Sequence, residues 1–98
     1  MQATEVLEVA LFEVKPGYEA EMPALRAGLR QALRDFPGLL ELQTYSPLAD
    51  DRVFADIARW DSLENAQAAA TAFAAGDPRF APYMEAIHSL RFMGHFRS

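Results

Sequence analysis

The sequence contains no cysteine and only two histidines. Without thiols, the chain cannot form disulfides, use a thiolate nucleophile or hold a metal through cysteine. The histidines, His88 and His95, lack an acid-rich surrounding or the His-x-His spacing typical of metal sites. We therefore expect no metal ion and no haem.

Positive charge and long apolar runs are also scarce. Nine Lys and Arg residues stand against fourteen Asp and Glu, for a net charge of −5. The basic residues form no run, and an acidic surface repels phosphate backbones. The longest uncharged stretch, 65–76, is too short and too rich in alanine to span a membrane, and the first residues do not resemble a signal peptide. These features predict a cytoplasmic protein that binds neither nucleic acid nor membranes.

Apolar residues, in contrast, make up 51% of the 98-residue chain. A chain of this length is expected to form one domain, residues 1–98, because smaller pieces would be unable to bury a core. The apolar fraction is at or above the top of the usual range for a soluble domain. We therefore expect the chain to have a surface for self-association.

The hydrophobic pattern predicts six main elements. Alternating residues indicate strands over 6–14, 39–45, 52–60 and 87–96, whereas apolar spacings of three and four indicate helices over 18–36 and 62–75, with a short helical piece after Asp77-Pro78. An Asp61-x-x-Glu64 capping box is expected to start the second long helix. The resulting order, β-α-β-β-α-β, predicts an α+β ferredoxin-like fold with a four-stranded antiparallel sheet and both helices on one face.

Alternation also divides the strand residues into two sets. The more apolar set, which contains Leu7, Val9, Leu11, Leu40, Leu42, Ala55, Ile57, Leu90 and Phe92, is assigned to the helix side. The opposite set mixes aromatic, acidic and basic side chains: Glu8, Ala10, Phe12, Glu41, Gln43, Tyr45, Phe54, Asp56, Ala58, Trp60, Arg91, Met93 and His95. Such a mixture is typical of a ligand pocket, with Phe54, Arg91 and His95 as binding residues. The alternative is an ordinary exposed face whose charges form cross-strand pairs.

Two further expectations concern surfaces. Phe12, Phe54, Met93 and Phe96 are costly to expose, which predicts a homodimer through the helix-free face of the sheet. The arginines of the first helix, Arg26, Arg30 and Arg34, are assigned mostly to solvent.

Trp60 is the only tryptophan and ends the third strand. It is interpreted as the wall of a small pocket for an apolar or aromatic ligand. The alternative is that it packs as a core residue under the following helix.

Three short motifs point to a known family. Lys15-Pro16-Gly17, Phe36-Pro37-Gly38 and the segment 60–66, together with the order of elements, resemble the antibiotic biosynthesis monooxygenase family of the dimeric α/β-barrel superfamily. The resemblance implies a homodimer whose sheets meet on their helix-free faces. It also implies oxidation of electron-rich polycyclic phenols by O₂ without a cofactor.

The resemblance also suggests site residues. Asp56 stands four residues before Trp60, where members of this type carry Asn, and is expected to handle the substrate proton as the catalytic residue. Tyr83 is added to the substrate-binding residues. The related haem-degrading branch requires an iron-ligating His and an Asn on the first strand. The first strand of this chain has Glu8 and Ala10 but no Asn, so haem degradation is not expected.

Two hypotheses therefore remain open. One is a cofactor-independent monooxygenase acting on an aromatic or quinol-like metabolite, and the other is a non-catalytic, ligand-binding or stress-associated module. Burial of Asp56 in a cavity beside Trp60 would favour chemistry, whereas exposure and pairing with an arginine would favour the module.

Overall fold

The strands and helices follow the predicted order. A computed structural model describes residues 4–98 and contains, in sequence, the elements β1 (Val6–Val14), α1 (Met22–Leu33), β2 (Leu39–Tyr45), β3 (Val53–Trp60), α2 (Leu63–Ala74), α3 (Ala81–Ala86) and β4 (Ile87–Phe96). Short 3₁₀ turns, Glu19–Glu21 and Pro78–Phe80, lead into α1 and α3. The α+β ferredoxin-like prediction is confirmed.

The four strands form one open antiparallel sheet in the order β2-β3-β1-β4. The two central strands, β1 and β3, pair in register from Val6 opposite Trp60 to Glu13 opposite Val53. None of the helices within residues 4–98 is long and apolar enough to cross a bilayer.

In β1 and β3 the two faces of the sheet are the reverse of those predicted, whereas Leu42 of β2 packs against the core as predicted. The buried strand residues belong to the mixed set, and include Phe12, Phe54 and Trp60. Leu7 and Phe92, from the set assigned to the helix side, are about two-fifths exposed, at 40% and 43%. The assignment was wrong because it counted apolar residues rather than their bulk: the large aromatic rings of the mixed set fill the space beneath the helices, and the acids among them find buried partners.

The corner between β3 and α2 also differs from the predicted capping box. Ser62, not Asp61, is the N-cap, and its hydroxyl accepts the N–H of Asn65 at 3.1 Å. Asp61 continues the pairing of β3 with β2, because its backbone N–H donates to the carbonyl of Gly38 at 2.8 Å. Its carboxylate instead accepts the side-chain amide of Asn65 at 2.8 Å. The helix therefore begins one residue later than expected.

Gly38 is essential to this corner. Its φ is +95°, and an added Cβ would overlap Asp61 Oδ1 and lie 2.6 Å from Asn65 Nδ2. We expect Gly38→Ala to lower the free energy of unfolding by about 3 kcal/mol or more, because backbone strain adds to overcrowding. Urea denaturation measures the loss.

Gly17→Ala is the matched control, since Gly17 has a φ of +90° but open space around it. It should cost only the strain, about 1–2 kcal/mol. Equal losses in the two variants would show that the corner is not crowded.

Candidate active site

A cavity of about 130 Å³ lies between the sheet and the helices. Its floor follows from the β1–β3 register, which pairs Val6 with Trp60, Glu8 with Ala58, Ala10 with Asp56, and Phe12 with Phe54. Bulky side chains therefore stand at both ends, while two alanines and two acids share the middle. Because an alanine carries only a methyl group, Ala10 and Ala58 leave the space that forms the cavity.

Helix residues close the cavity from above. The lining residues from the helices and the turn before α3 are Leu29, Leu33, Ala69, Ala70, Phe73, Phe80 and Tyr83. An apolar cavity of about 150 Å³ is large enough to bind benzene. The cavity therefore suits a ligand with a single aromatic ring.

Asp56 is the charged centre of the site. Arg26 from α1 lies 3.1 Å from one carboxylate oxygen, and the hydroxyl of Tyr83 from α3 donates to the other at 2.5 Å. Both members of the ion pair are buried, with side-chain exposures of 9% for Arg26 and 12% for Asp56. Burial raises the pKa of Asp56 above its ordinary value, although the Tyr83 hydrogen bond and the Arg26 charge oppose the rise.

Arg26 is held by more than Asp56. Its Nη2 also donates to the carbonyls of Tyr45 at 2.8 Å and Ala55 at 3.3 Å, and its guanidinium lies 5.0 Å from the centre of the Phe54 ring. Its Nε is buried without a hydrogen-bond partner among the described residues. The guanidinium is therefore fixed in position to orient the carboxylate.

Tyr83 is a donor to Asp56 rather than a base. Burial and the neighbouring Asp56 charge raise the pKa of the Tyr83 hydroxyl far above its ordinary value. The Tyr83 hydroxyl thus keeps its proton and donates it in a hydrogen bond to Asp56. Asp56 is therefore the proton acceptor of the pair.

Glu8 is a second acid on the cavity floor. It stands opposite Ala58, diagonal to Asp56, and lies 3.2 Å from His95 Nε2 on the neighbouring strand. Burial raises the pKa of Glu8, while His95 and the nearby Trp60 indole oppose the rise. The indole N–H is itself buried beside this carboxylate.

The structure brings together some of the predicted site residues. Asp56, Trp60 and Tyr83 line the cavity, and Trp60 is only 1% exposed, so it is both a core residue and a cavity wall. His95 does not line the cavity, but it contacts Glu8, which does. The predictions of catalytic and binding roles for these residues remain to be tested.

Two predicted binding residues lie elsewhere. Phe54 stacks on Phe12 outside the cavity, with ring centres 6.3 Å apart. Arg91 bonds to Glu13 and does not line the cavity, because the β1–β4 register shifts between Leu11 and Phe12. The shift breaks the simple alternation used to assign Arg91 to the pocket.

Arg26 is the main residue that the sequence analysis missed. It was assigned to solvent, yet it is 7% exposed and contacts the site acid. A signal was available: Met22, Arg26, Leu29 and Leu33 follow one another at helical spacings of four, three and four. An arginine within such an apolar stripe indicates a buried charge with a partner.

The sequence profile of the antibiotic biosynthesis monooxygenases matches residues 6–88. The chain belongs to this family. No curated protein sequence matches it significantly.

Several solved structures share the fold. A Chloroflexus aurantiacus protein assigned to the antibiotic biosynthesis monooxygenases superposes with a TM-score of 0.74 at 19% identity, over 97% of this chain and 93% of that one. SnoaB, a cofactor-independent oxygenase from Streptomyces nogalater, gives 0.66 at 24% identity, over 96% and 90%. A haem-degrading protein from Mycobacterium tuberculosis gives 0.62 at 24% identity, over 95% and 92%. Identities this low establish a shared fold only.

Breaking the Arg26–Asp56 ion pair should lower the free energy of unfolding by an amount that depends on pH. In Arg26→Met, Asp56 would be buried without a counter-ion, and the free energy of unfolding should fall by about 3–5 kcal/mol at neutral pH. Loss of the guanidinium raises the folded pKa of Asp56 further above the ordinary value of 3.8. Since the folded state then binds the proton more tightly, the loss should shrink as the pH falls towards about 4.

Urea denaturation at several pH values measures this effect. In the control, Arg26→Met/Asp56→Asn, there is no carboxylate to titrate, and the pH dependence due to Asp56 should disappear. A loss in Arg26→Met that is the same at all pH values would instead indicate that only packing was removed.

Proposed function

We propose that the protein is a cofactor-independent monooxygenase that oxidises a single-ring phenol or hydroquinone with O₂. The observation that carries the proposal is the position of Asp56: a buried carboxylate with a raised pKa on the floor of a cavity that fits one aromatic ring. Family membership and the fold shared with SnoaB support it.

In the proposed reaction, Asp56 accepts the phenolic proton, while Tyr83 and Arg26 hold its carboxylate in place. The electron-rich phenolate passes an electron to O₂, and a C–O bond forms at a ring carbon that carries hydrogen. The O–O bond then breaks: one oxygen stays on the ring as a quinone carbonyl. The other leaves as water with the phenolic and ring protons. The substrate supplies all the electrons, so no external reductant is required.

The cavity excludes water around this chemistry. Its walls are mostly aromatic and aliphatic, including Trp60, Phe73 and Phe80. A low dielectric strengthens the effect of the Arg26 charge on an anionic substrate. The volume also favours a smaller substrate than the polycyclic phenols implied by the family resemblance.

Oxygen uptake tests the proposal. With single-ring hydroquinones such as methylhydroquinone, the protein should accelerate O₂ consumption above the spontaneous rate, and more strongly than with a tricyclic anthrone. Asp56→Asn should lower the rate roughly 10²–10⁴-fold, the usual contribution of a general base.

Asp35→Asn, which changes an exposed carboxylate paired with Arg79, is the control and should leave the rate unchanged. Uptake that is no faster than in buffer, or equal in the wild type and Asp56→Asn, would contradict the proposal.

The pairing of Asp56 with Arg26 favours a second candidate, a non-catalytic module that binds a small aromatic ligand. An ion-paired carboxylate is a weaker base than a free one. Saturable binding of a single-ring phenol in the cavity without O₂ consumption would identify this function.

We also propose that the protein forms a homodimer through the helix-free face of the sheet. Leu7, Tyr45, Phe92 and Phe96 are exposed there, each between 40% and 48%. Phe92 and Phe96 stack on each other with ring centres 6.1 Å apart, forming a flat apolar surface. Several exposed apolar side chains on one face of a sheet are typical of an interface.

Phe92→Asp should therefore dissociate the dimer, because it would place an unpaired charge in the interface. Leu48→Asp is the control, since Leu48 is fully exposed in the β2–β3 loop and should not affect assembly. Light scattering should give twice the chain mass of 10.9 kDa for the wild type and the control. A monomeric wild type would contradict the proposal.

A further inference from the structure

A second concave surface lies on the other side of the Arg26–Asp56 ion pair. It is an open groove of about 670 Å³ between α1 and the β2–β3 hairpin, and we call it the arginine groove. Arg26 lines this groove and Asp56 lines the cavity, so the ion pair stands between the two compartments. The proposed oxidation makes no use of the groove.

Three arginines converge on the arginine groove. Arg26 and Arg30 come from successive turns of α1, and Arg52 comes from the end of the hairpin. Arg26 is paired with Asp56 and Arg52 with Glu13, and Glu19 and Asp50 also line the groove. Arg30 is the arginine of this group that has no acidic partner among the described residues. One such arginine suits a ligand with a single negative charge.

Arg30 is the cation available to such a ligand. Its guanidinium donates to the carbonyl of Leu42 at 2.7 Å and lies 3.5 Å from the hydroxyl of Thr44. Within residues 4–98 it has no carboxylate at ion-pair distance, whereas Arg52 is paired with Glu13 at 3.1 Å. A guanidinium anchored on one side by neutral acceptors is oriented in advance for bidentate binding of a carboxylate.

The rest of the groove lining is largely apolar. It includes Met22, Pro23, Ala27, Pro47, Ala49 and Phe54. Apolar walls with a few convergent polar groups, in a volume of a few hundred cubic ångströms, are typical of small-molecule sites. The lining therefore favours an anion that has an apolar body over a bare inorganic ion.

We propose that the arginine groove binds a small organic acid, with its carboxylate on Arg30 and its apolar body between Ala27 of α1 and Pro47 and Ala49 of the hairpin loop. This site is separate from the cavity and does not depend on the proposed oxidation.

Binding there would also change Asp56. A carboxylate on Arg30 offsets the charge of that guanidinium, which is one of the positive charges that lower the pKa of Asp56. The groups that act on Asp56 are Arg26, Arg30 and Tyr83, and Glu8 is its acidic neighbour on the cavity floor. The pKa of Asp56 should therefore rise when the groove is occupied.

Titration of isotope-labelled protein with benzoate, followed by nuclear magnetic resonance, tests the site. The backbone amides of Thr44, Ser46 and Ala49 report on the groove, and those of Ala10 and Ala58 report on the cavity. We expect saturable shifts at the groove amides and an upward shift of the Asp56 pKa on saturation. Arg30 is exposed, so Arg30→Gln should fold normally and weaken binding about tenfold or more.

Arg34→Gln is the matched control, because Arg34 follows Arg30 by four residues, directly after the last residue of α1, and does not line the groove. Its affinity for benzoate should equal that of the wild type. Absence of saturable shifts, shifts confined to the cavity amides, or equal weakening in both variants would overturn the proposal. Inorganic phosphate binding as tightly as benzoate would overturn the requirement for an apolar body. The titration needs no turnover, so its result is independent of the oxygen-uptake experiment.

Discussion

The buried ion pair between Arg26 and Asp56 is the interaction on which the site depends. It joins α1 to β3, and through further hydrogen bonds from Arg26 to Tyr45 and Ala55 it also fixes the hairpin. The Tyr83 hydroxyl donates to the same carboxylate and so connects α3 to the ion pair. Desolvation makes such a pair a poor source of stability, but leaving either charge buried alone costs far more. The cluster is therefore best understood as a constraint that positions one carboxylate at the edge of a cavity.

The cavity and its acid arise from the same strand register. The Phe12–Phe54 pair at one end of the β1–β3 ladder and the Val6–Trp60 pair at the other hold the helices away from the sheet. Ala10 and Ala58 leave the middle empty beside Asp56 and Glu8. The fold itself does not decide the chemistry, since similar structures include an oxygenase and a haem-degrading protein. Oxidation is therefore inferred from the volume of the cavity and from the state of the carboxylate within it.

Most of the fold could be predicted from the sequence, but the site could be predicted only in part. Hydrophobic periods located β1, β2 and β4 because strand alternation is a local property. The choice of buried face was not local: it depended on which strand side chains have the bulk to fill the space beneath α1 and α2. The partner of Asp56 was hidden for the same reason, since Arg26 is thirty residues away in sequence. Arg91 was misplaced because a register shift in β4 cannot be seen in a single strand.

The central claim is that a single aromatic ring binds over Ala10 and Ala58, beside Asp56. Alanine methyl groups report on each surface: Ala10 and Ala58 on the cavity, Ala55 on the helix-free face, and Ala27 and Ala49 on the arginine groove. Nuclear Overhauser contacts from the ring protons of bound methylhydroquinone therefore test the claim most directly. The account predicts contacts to the methyl groups of Ala10 and Ala58. Contacts confined to Ala55, or to Ala27 and Ala49, would contradict it.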